Sequence, residues 1–265
     1  MQKNTPNPDI SCNQYIKFGL FYERAVKELN ADYIAFGHYA SIKRINGKPY
    51  LAKALDKNKD QTYYLSHIKS SVLEKTIFPV GEMLKSDVKL YAKNNGLEDV
   101  ALKKESMGIC FIGKRNFNKF IMDYIPTKQG NFVTKDGDII GTFQDLSLYT
   151  VGQGARIPSS KKWFVGKKDI DRNEIIVVER GDEMLKTVRI QCSIWWINKA
   201  VVGEYYVKYR YRMDHIKAKI SLFDGYMEIQ FREPQEGVAV GQSVAIYDDV
   251  ICYGGGIIKK VFQVE

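Results

Sequence analysis

The first part of the chain alternates between a helical and a strand-like pattern of apolar residues. Apolar side chains recur at steps of three and four after Cys12, which predicts an amphipathic helix with its stripe at Tyr15, Phe18, Tyr22, Ala25, Val26 and Leu29. The run Asp32–Phe36 is typical of a short buried strand and ends in Gly37-His38-Tyr39. A helix followed by a strand that ends in glycine indicates an α/β domain.

Helical patterning continues through the interval 59–94, where Ser86 is a candidate N-cap and Gly96 a candidate stop. A shorter helix is predicted just before Pro126, with apolar positions at Phe117, Phe120, Ile121 and Tyr124.

Strand patterns take over in the second half. Segments 131–134 and 138–142 flank Asp136-Gly137, a hairpin signal in which glycine accepts a positive φ. From about residue 184, short alternating runs are separated by turns such as Asp224-Gly225, which predicts a small β-barrel or sandwich. We therefore predict three domains: an incomplete α/β domain over residues 1–112, a small central α+β domain over 113–183 and a β domain over 184–265.

The N-terminal segment places a cysteine beside a predicted helix start. Pro6 and Pro8 hold the chain extended before the helix, so Cys12 is expected at or near the first turn. A thiol there faces unpaired N–H groups and the positive end of the helix dipole, which favour the thiolate. The alternative is a small buried hydrophobic residue. Asp9 is positioned either to move protons or to cap the helix.

Composition narrows the classes of partner. The chain has 265 residues and a net charge of +9, from 40 Lys and Arg against 31 Asp and Glu. This balance favours a polyanionic partner, although a membrane surface or plain solubility also fits. No apolar run approaches the ~18 to 20 residues that cross a bilayer, so an integral membrane protein is not expected.

Cysteine and histidine usage bears on redox chemistry and metals. The cysteines are dispersed, as in a reducing compartment, at Cys12, Cys110, Cys192 and Cys252. With three histidines and no C-x-x-C pair, no structural metal is expected. Around Cys110, apolar neighbours favour a buried inert thiol, whereas Gly108, Gly113 and nearby cations favour an anion-binding loop around a thiolate.

Residues 206–212 alternate tyrosine or valine with cations. Strand geometry would put Lys208, Arg210 and Arg212 on one face, either as a cationic row for phosphates or as a solvated strand face.

Five segments taken in order resemble the tRNA-specific 2-thiouridylases, from about residue 5 to the C-terminus. They are TPNPDISCN at 5–13, GHY at 37–39, KDQ at 59–61, KKESMGICFIGKRNF at 103–117 and YTVGQ at 149–153. The second cysteine motif is most similar to the mitochondrial enzymes of eukaryotes. The resemblance implies a truncated adenine-nucleotide α-hydrolase-like (PP-loop) domain, a central tRNA-contacting domain and a C-terminal β-barrel.

The chemistry implied by this resemblance is sulfur transfer to C2 of the wobble uridine in mitochondrial tRNAs of the Lys, Glu and Gln type. ATP, with Mg²⁺ expected, adenylates the C2 oxygen. Cys110 would carry a persulfide received from a donor protein, Cys12 would be the nucleophile that forms a transient disulfide with Cys110, and Asp9 the general acid/base. The target base must leave its stack to be reached.

Binding residues carry over from the same resemblance. Asn7, Pro8 and Asp9 would contact the target base, and Gly37 would contact ATP. The implied tRNA contacts are His38, Lys59, Asp60, Gln61, Arg210, Tyr211 and Gln242. For His38 a structural hydrogen bond is the alternative, and for residues 59–61 a solvated helix start.

Two departures from the family pattern set the competing hypotheses. The phosphate-binding SGGVDS loop is not in the sequence, and Gly154 stands where the family usually has Arg. The expectation is an N-terminally shortened isoform or an incomplete gene model of a mitochondrial 2-thiouridylase. The alternative is an inactive remnant that only binds tRNA. A thiol redox protein using Cys12 and Cys110 would explain neither the charge nor the barrel.

Overall fold

The computed structural model describes residues 5–103 and 117–264. The chain opens with consecutive helical segments: α1 (Pro8–Ser11), a π-helical segment (Cys12–Phe21) and α2 (Tyr22–Lys27). Asn7 is the N-cap of α1, and its side chain accepts a hydrogen bond from the Ile10 N–H.

The π-helical segment changes which side chains face the core. In a π-helix each N–H bonds to the carbonyl five residues back, so Asn13 and Phe18 lie on one face, and both are buried. The predicted stripe is correct for Phe18 and Ala25. It is wrong for Tyr15 and Leu29, which are 63% and 77% exposed.

The remainder of the N-terminal domain is built from short elements. β1 (Ile34–Ala35) pairs in parallel with β4 (Thr76–Ile77), and β2 (Ser41–Ile45) forms a hairpin with β3 (Lys48–Ala52). The helices are α3 (Thr62–Leu65), α4 (Ser70–Leu73), α5 (Lys85–Asn94) and α6 (Glu98–Leu102).

The interval 59–94 is therefore not one helical region, since it holds three short helices and a strand. Ser86 is not the N-cap: α5 begins at Lys85, whose N–H donates to Asp56 Oδ2 at 3.0 Å. A carboxylate from a distant loop thus satisfies the helix end. The predicted stop is correct, because Gly96 follows α5 with a φ of 76°.

The central domain follows helix α7 (Phe117–Met122) and contains a four-stranded sheet in the order β6-β5-β8-β7. Its strands are β5 (Gly130–Val133), β6 (Ile139–Phe143), β7 (Phe164–Asp169) and β8 (Glu174–Val178). The predicted hairpin is confirmed: β5 pairs with β6, and Gly137 has a φ of 93°.

The C-terminal domain is a closed six-stranded barrel, the first of the two predicted alternatives. Its order is β15-β14-β11-β12-β13-β9, with β9 pairing back onto β15. The seven strands of the domain are β9 (Lys186–Cys192), β10 (Trp195–Trp196), β11 (Gly203–Lys208), β12 (Ile216–Phe223), β13 (Tyr226–Glu236), β14 (Ser243–Tyr247) and β15 (Cys252–Gln263). Asp224-Gly225 makes the turn between β12 and β13.

The barrel packs its outer face against the N-terminal domain. Ala245, Tyr247 and Cys252 of the barrel share one buried cluster with Leu51 and Tyr63 of that domain. This second core fixes the two domains together and brings the 59–64 segment next to the barrel.

The predicted cationic row on β11 is wrong. The strand ends at Lys208, which is only 6% exposed, whereas Arg210 and Arg212 lie in the following turn and are exposed. Lys208 is buried because the outer face of β11 is covered by the N-terminal domain, near Asp60. No helix in the described ranges is long and apolar enough to span a membrane.

Candidate functional site

The first cysteine motif lies at the start of the first helical stretch. Pro8 is the first helical residue and Asp9 lies in the first turn, so neither the cap nor the helix start falls at Cys12. The Cys12 N–H donates to the carbonyls of Pro8 and Asp9, and its side chain is half-buried. Cys12 therefore lies directly after the first turn, in agreement with the predicted position at or near that turn, and the dipole effect there is weaker than at the helix start.

The partner predicted for this thiol, Cys110, lies outside the described residues, as does most of its motif. The other two cysteines are fully buried in the barrel domain. Burial raises the pKa of the Cys252 thiol to about 12 and raises that of Cys192 further still. Neither of these two barrel cysteines is a nucleophile at neutral pH.

Helix α3 connects the cysteine segment to the barrel. The Asn13 amide donates to the Tyr64 carbonyl at 3.3 Å. The buried Tyr63 hydroxyl lies 3.2 Å from the Tyr209 carbonyl and 3.0 Å from the Ser243 carbonyl. Helix α3 thus links the start of the chain, through the Tyr64 carbonyl, to two barrel segments, through the Tyr63 hydroxyl. The sequence does not signal this role because the partners are far away in the chain.

A pair of aromatic rings lies beside the cysteine segment. The rings of Tyr64 and Tyr211 are 4.5 Å apart at their centroids. Burial, together with the nearby carboxylate of Asp9, raises the pKa of Tyr64. The Asp9 carboxylate therefore lies near this tilted aromatic pair, which is next to the residues predicted to contact the target base.

The 59–61 segment is held by the GHY loop and by its own side chains. Gln61 and Tyr39 exchange two hydrogen bonds: the Tyr39 N–H donates to Gln61 Oε1 at 2.9 Å, and the Gln61 N–H donates to the Tyr39 carbonyl at 2.8 Å. The Tyr211 hydroxyl donates to the Lys59 carbonyl at 3.4 Å.

Asp60 is not a surface residue of that segment. It is 6% exposed, and its carboxylate accepts from the N–H of Ala54 and from both the N–H and the hydroxyl of Thr62. The solvated-helix-start interpretation is thus wrong for Asp60, whose three hydrogen bonds fit a structural role.

His38 follows β1 and sits among Phe18, Phe36 and Phe78, with ring centroids 5.9 to 6.3 Å away. Burial, with the nearby Lys17 ammonium as a second cause, lowers its pKa to about 4, so the ring is neutral at pH 7. Its Nε2 lies 3.4 Å from Lys17 Nζ, and its buried Nδ1 has no partner among the described residues.

Gly37 is the exposed residue just after β1. A Cβ placed there would meet no atom within 4 Å. The backbone therefore borders open space at the carboxyl end of a parallel strand pair, the position where α/β sheets bind ligands.

Arg210 and Gln242 lie where domains meet. Arg210 Nη2 donates to the Gly237 carbonyl at 2.5 Å, and a Cβ on Gly152 would come within 3.0 Å of the same guanidinium nitrogen. The Gln242 amide donates to the Thr5 carbonyl at 2.5 Å, while the Thr5 hydroxyl donates to the Tyr149 carbonyl. Gln242 thus connects the barrel to the cysteine segment, Thr5 connects that segment to the central domain, and Arg210 lies where the barrel approaches Gly152 of the central domain.

A cleft of about 700 Å³ lies between the 53–60 loop and the 208–215 turn. Its lining includes Lys59, Asp60 and Tyr211 of the predicted tRNA-contacting set. The described residues contain no group of three or more His, Cys, Asp or Glu side chains placed to hold a metal.

Three family models match the chain in this order. They are the tRNA methyl transferase HUP domain over residues 1–114, the tRNA methyl transferase PRC-barrel domain over 118–179 and the aminomethyltransferase β-barrel domain over 186–258. The molecule is therefore a three-domain protein of the HUP, PRC-barrel and β-barrel class, and the predicted fold class is confirmed. The predicted domain limits stay predictions.

Named relatives identify the family within this class. The chain is 40% identical to the tRNA-specific 2-thiouridylase of Photorhabdus laumondii over 98% of its own length and 74% of the relative's. It is 42% identical to that of Chromobacterium violaceum, covering 96% and 69%, and 40% identical to that of Streptococcus equi, covering 98% and 72%. The chain belongs to the tRNA-specific 2-thiouridylase family, as the motifs predicted.

Proposed function

We propose that this protein is a sulfurtransferase that forms 2-thiouridine in tRNA. The observation that carries the proposal is about 40% identity to 2-thiouridylases over nearly the whole chain, with the Asn7–Cys12 motif at a capped helix start facing the Tyr64–Tyr211 pair. The finer assignments belong to the same proposal: the wobble uridine, mitochondrial tRNAs of the Lys, Glu and Gln type, a persulfide donor protein and a mitochondrial location.

In this proposal each part of the cysteine segment has a task. Asn7, Pro8 and Asp9 contact the extruded uridine, whose base stacks near Tyr211. Cys110 carries the persulfide. The Cys12 thiolate attacks the inner sulfur of the Cys110 persulfide and breaks its S–S bond. The released outer sulfur bonds to the uridine C2, and a Cys12–Cys110 disulfide remains. A dithiol reductant then restores both thiols.

ATP is the proposed cofactor, since HUP domains bind nucleotides. The open space beside Gly37 fits the approach of a nucleotide to the backbone, and ATP supplies the adenylate leaving group at the uridine C2 oxygen. Mg²⁺ is proposed to accompany the ATP. The His38 ring, neutral at pH 7, lies next to this edge and would offer a hydrogen bond without a charge.

One observation favours a second candidate, a protein that binds tRNA without modifying it. The interdomain cleft and the net charge of +9 would serve binding without adenylation.

The discriminating experiment measures 2-thiouridine in a cognate tRNA by mass spectrometry, with ATP and a persulfide donor. We expect product from the wild-type protein and none from Cys110→Ser or Cys12→Ser. Cys252→Ala is the matched control, because that buried thiol is neutral at the assay pH. Salt-sensitive tRNA binding with neither product nor ATP hydrolysis would reject the enzyme in favour of the binding protein.

A further inference from the structure

The cleft between the 53–60 loop and the 208–215 turn has a buried lysine in its lining. Lys208 is the last residue of β11, and its neighbour Val207 points into the barrel core. Side chains alternate along a strand, so Lys208 points outward, beneath the N-terminal domain. It is only 6% exposed and lines the cleft.

The Lys208 ammonium has charged neighbours but, among the described residues, makes no hydrogen bond or ion pair. Burial lowers the pKa of Lys208, while the carboxylates of Asp60 and Asp214 act in the opposite direction. Asp60 is already engaged, since its two oxygens accept hydrogen bonds from Ala54 and Thr62. Burying a cation without a hydrogen-bonded partner is costly, and an anion in the cleft would remove that cost.

The rest of the lining favours a negatively charged occupant. It contains five cations, Lys53, Lys57, Lys59, Lys208 and Arg212, against three carboxylates, Asp60, Asp214 and Asp249, an excess of two positive charges. Lys53 Nζ donates to the carbonyls of Asp248 and Asp249. Lys57 and Arg212 are exposed at the rim.

One wall of the cleft is aromatic. Tyr211 lines it, and its ring contacts the ring of Tyr64 at an interplanar angle of 34°. Tyr64 lies near the Asp9 carboxylate. Cations next to an aromatic face match a nucleic-acid strand, in which phosphates alternate with bases that stack on tyrosine.

We propose that this cleft is a phosphate-binding subsite, with Lys208 at its floor and Lys57 and Arg212 at its rim, and that it holds a backbone phosphate of the RNA strand whose base reaches the cysteine segment. The evidence for a phosphate site comes from the cleft residues alone. Its assignment to RNA rests on the proposed function.

The test compares Lys208→Met with the wild-type full chain in binding a cognate tRNA across a salt titration. Methionine keeps the apolar stem and removes the charge. We expect affinity about tenfold lower, the size of one lost charge-assisted contact, and a log–log salt slope shallower by ~0.7 to 0.9. The matched control is Lys219→Met, an exposed lysine on barrel strand β12, which should change neither.

Because Lys208 is buried, Lys57→Glu provides a variant that does not disturb packing, since Lys57 is exposed. It should weaken tRNA binding without changing the unfolding midpoint. Affinities unchanged in both Lys208→Met and Lys57→Glu would overturn the proposal, even if the wild type makes 2-thiouridine.

A second arm uses inorganic phosphate and pyrophosphate as free anions. If Lys208→Met loses binding of these anions but keeps its full tRNA affinity, the RNA assignment is overturned and the occupant is a free phosphate. If both variants weaken tRNA binding while the wild type makes no 2-thiouridine, the subsite is supported and the sulfurtransferase proposal fails.

Discussion

Gly152 of the central domain and Gly237 of the barrel domain approach so closely that a Cβ on Gly152 would lie 2.3 Å from the Gly237 Cα. Both have positive φ values, 80° and 68°. The Arg210 guanidinium closes the same junction through its bond to the Gly237 carbonyl. The domains can meet in this way only because neither position carries a side chain.

Gly152→Ala should therefore destabilise the protein by about 2 kcal/mol or more, from the positive φ together with the backbone clash. Urea unfolding would measure the loss. Gly154→Ala is the matched control, because a Cβ at Gly154 meets no atom within 4 Å and stability should change by less than about 0.5 kcal/mol. Equal effects of the two substitutions would refute the close junction.

Asp60→Ala tests whether Asp60 of the KDQ segment stabilises the fold. The substitution leaves the N–H groups of Ala54 and Thr62 without their acceptor, so the free energy of unfolding should fall by about 2 to 3 kcal/mol. Lys57→Ala, an exposed change in the same loop, should leave stability within about 0.5 kcal/mol of the wild type. Thermal and urea unfolding measure both changes in stability. If Asp60→Ala were as stable as the wild type, Asp60 would be a solvated surface residue.

Tyr63→Phe removes the hydroxyl that links the N-terminal domain to the barrel. Its two acceptors, the Tyr209 and Ser243 carbonyls, lose a buried donor, and we expect a loss of about 1 to 3 kcal/mol. Tyr33→Phe is the control, since Tyr33 is 61% exposed. The comparison is made by urea unfolding, and a difference near zero would show that the hydroxyl contributes no net stability.

Local signals in the sequence predicted the elements whose causes are local. The turns at Gly137 and Gly225, the stop at Gly96 and the barrel pattern all rest on neighbouring residues, and each is confirmed. The wrong predictions concern features that depend on groups far away in the sequence. Asp56 caps α5 from another loop, and the N-terminal domain buries Lys208, which a strand pattern alone places in solvent.

In the candidate site, too, local features were predicted and features that depend on distant groups were not. The motif supplied Asn7, Pro8 and Asp9, which the structure places together at a capped helix start. It did not supply Tyr63 or Gly237, because the partners of Tyr63 are two backbone carbonyls and the partner of Gly237 is a guanidinium, all from remote segments. Cys12 lies near the first turn, as predicted, because proline at the first helical position starts the helix four residues earlier.

His67 should make stability depend on pH. The residue is buried, its Nδ1 lies 3.0 Å from the Ser66 hydroxyl, and burial lowers its pKa to about 4 from an ordinary value of 6.5. Between these two values the unfolded state binds more protons than the folded state, so the unfolding free energy rises with pH. The contribution is complete above pH 6.5 and is lost as pH falls toward 4.

The full pKa difference of 2.5 corresponds to about 3 kcal/mol. Lowering the pH from 7 to 4.5 should therefore reduce wild-type stability, and His67→Gln should show a shallower decline because glutamine does not titrate. Urea unfolding at several pH values measures both slopes. His38 and His215, whose pKa values burial also lowers to about 4, remain in the variant and contribute the residual slope. Parallel pH profiles for the two proteins would show that His67 is not neutral and buried in the folded state.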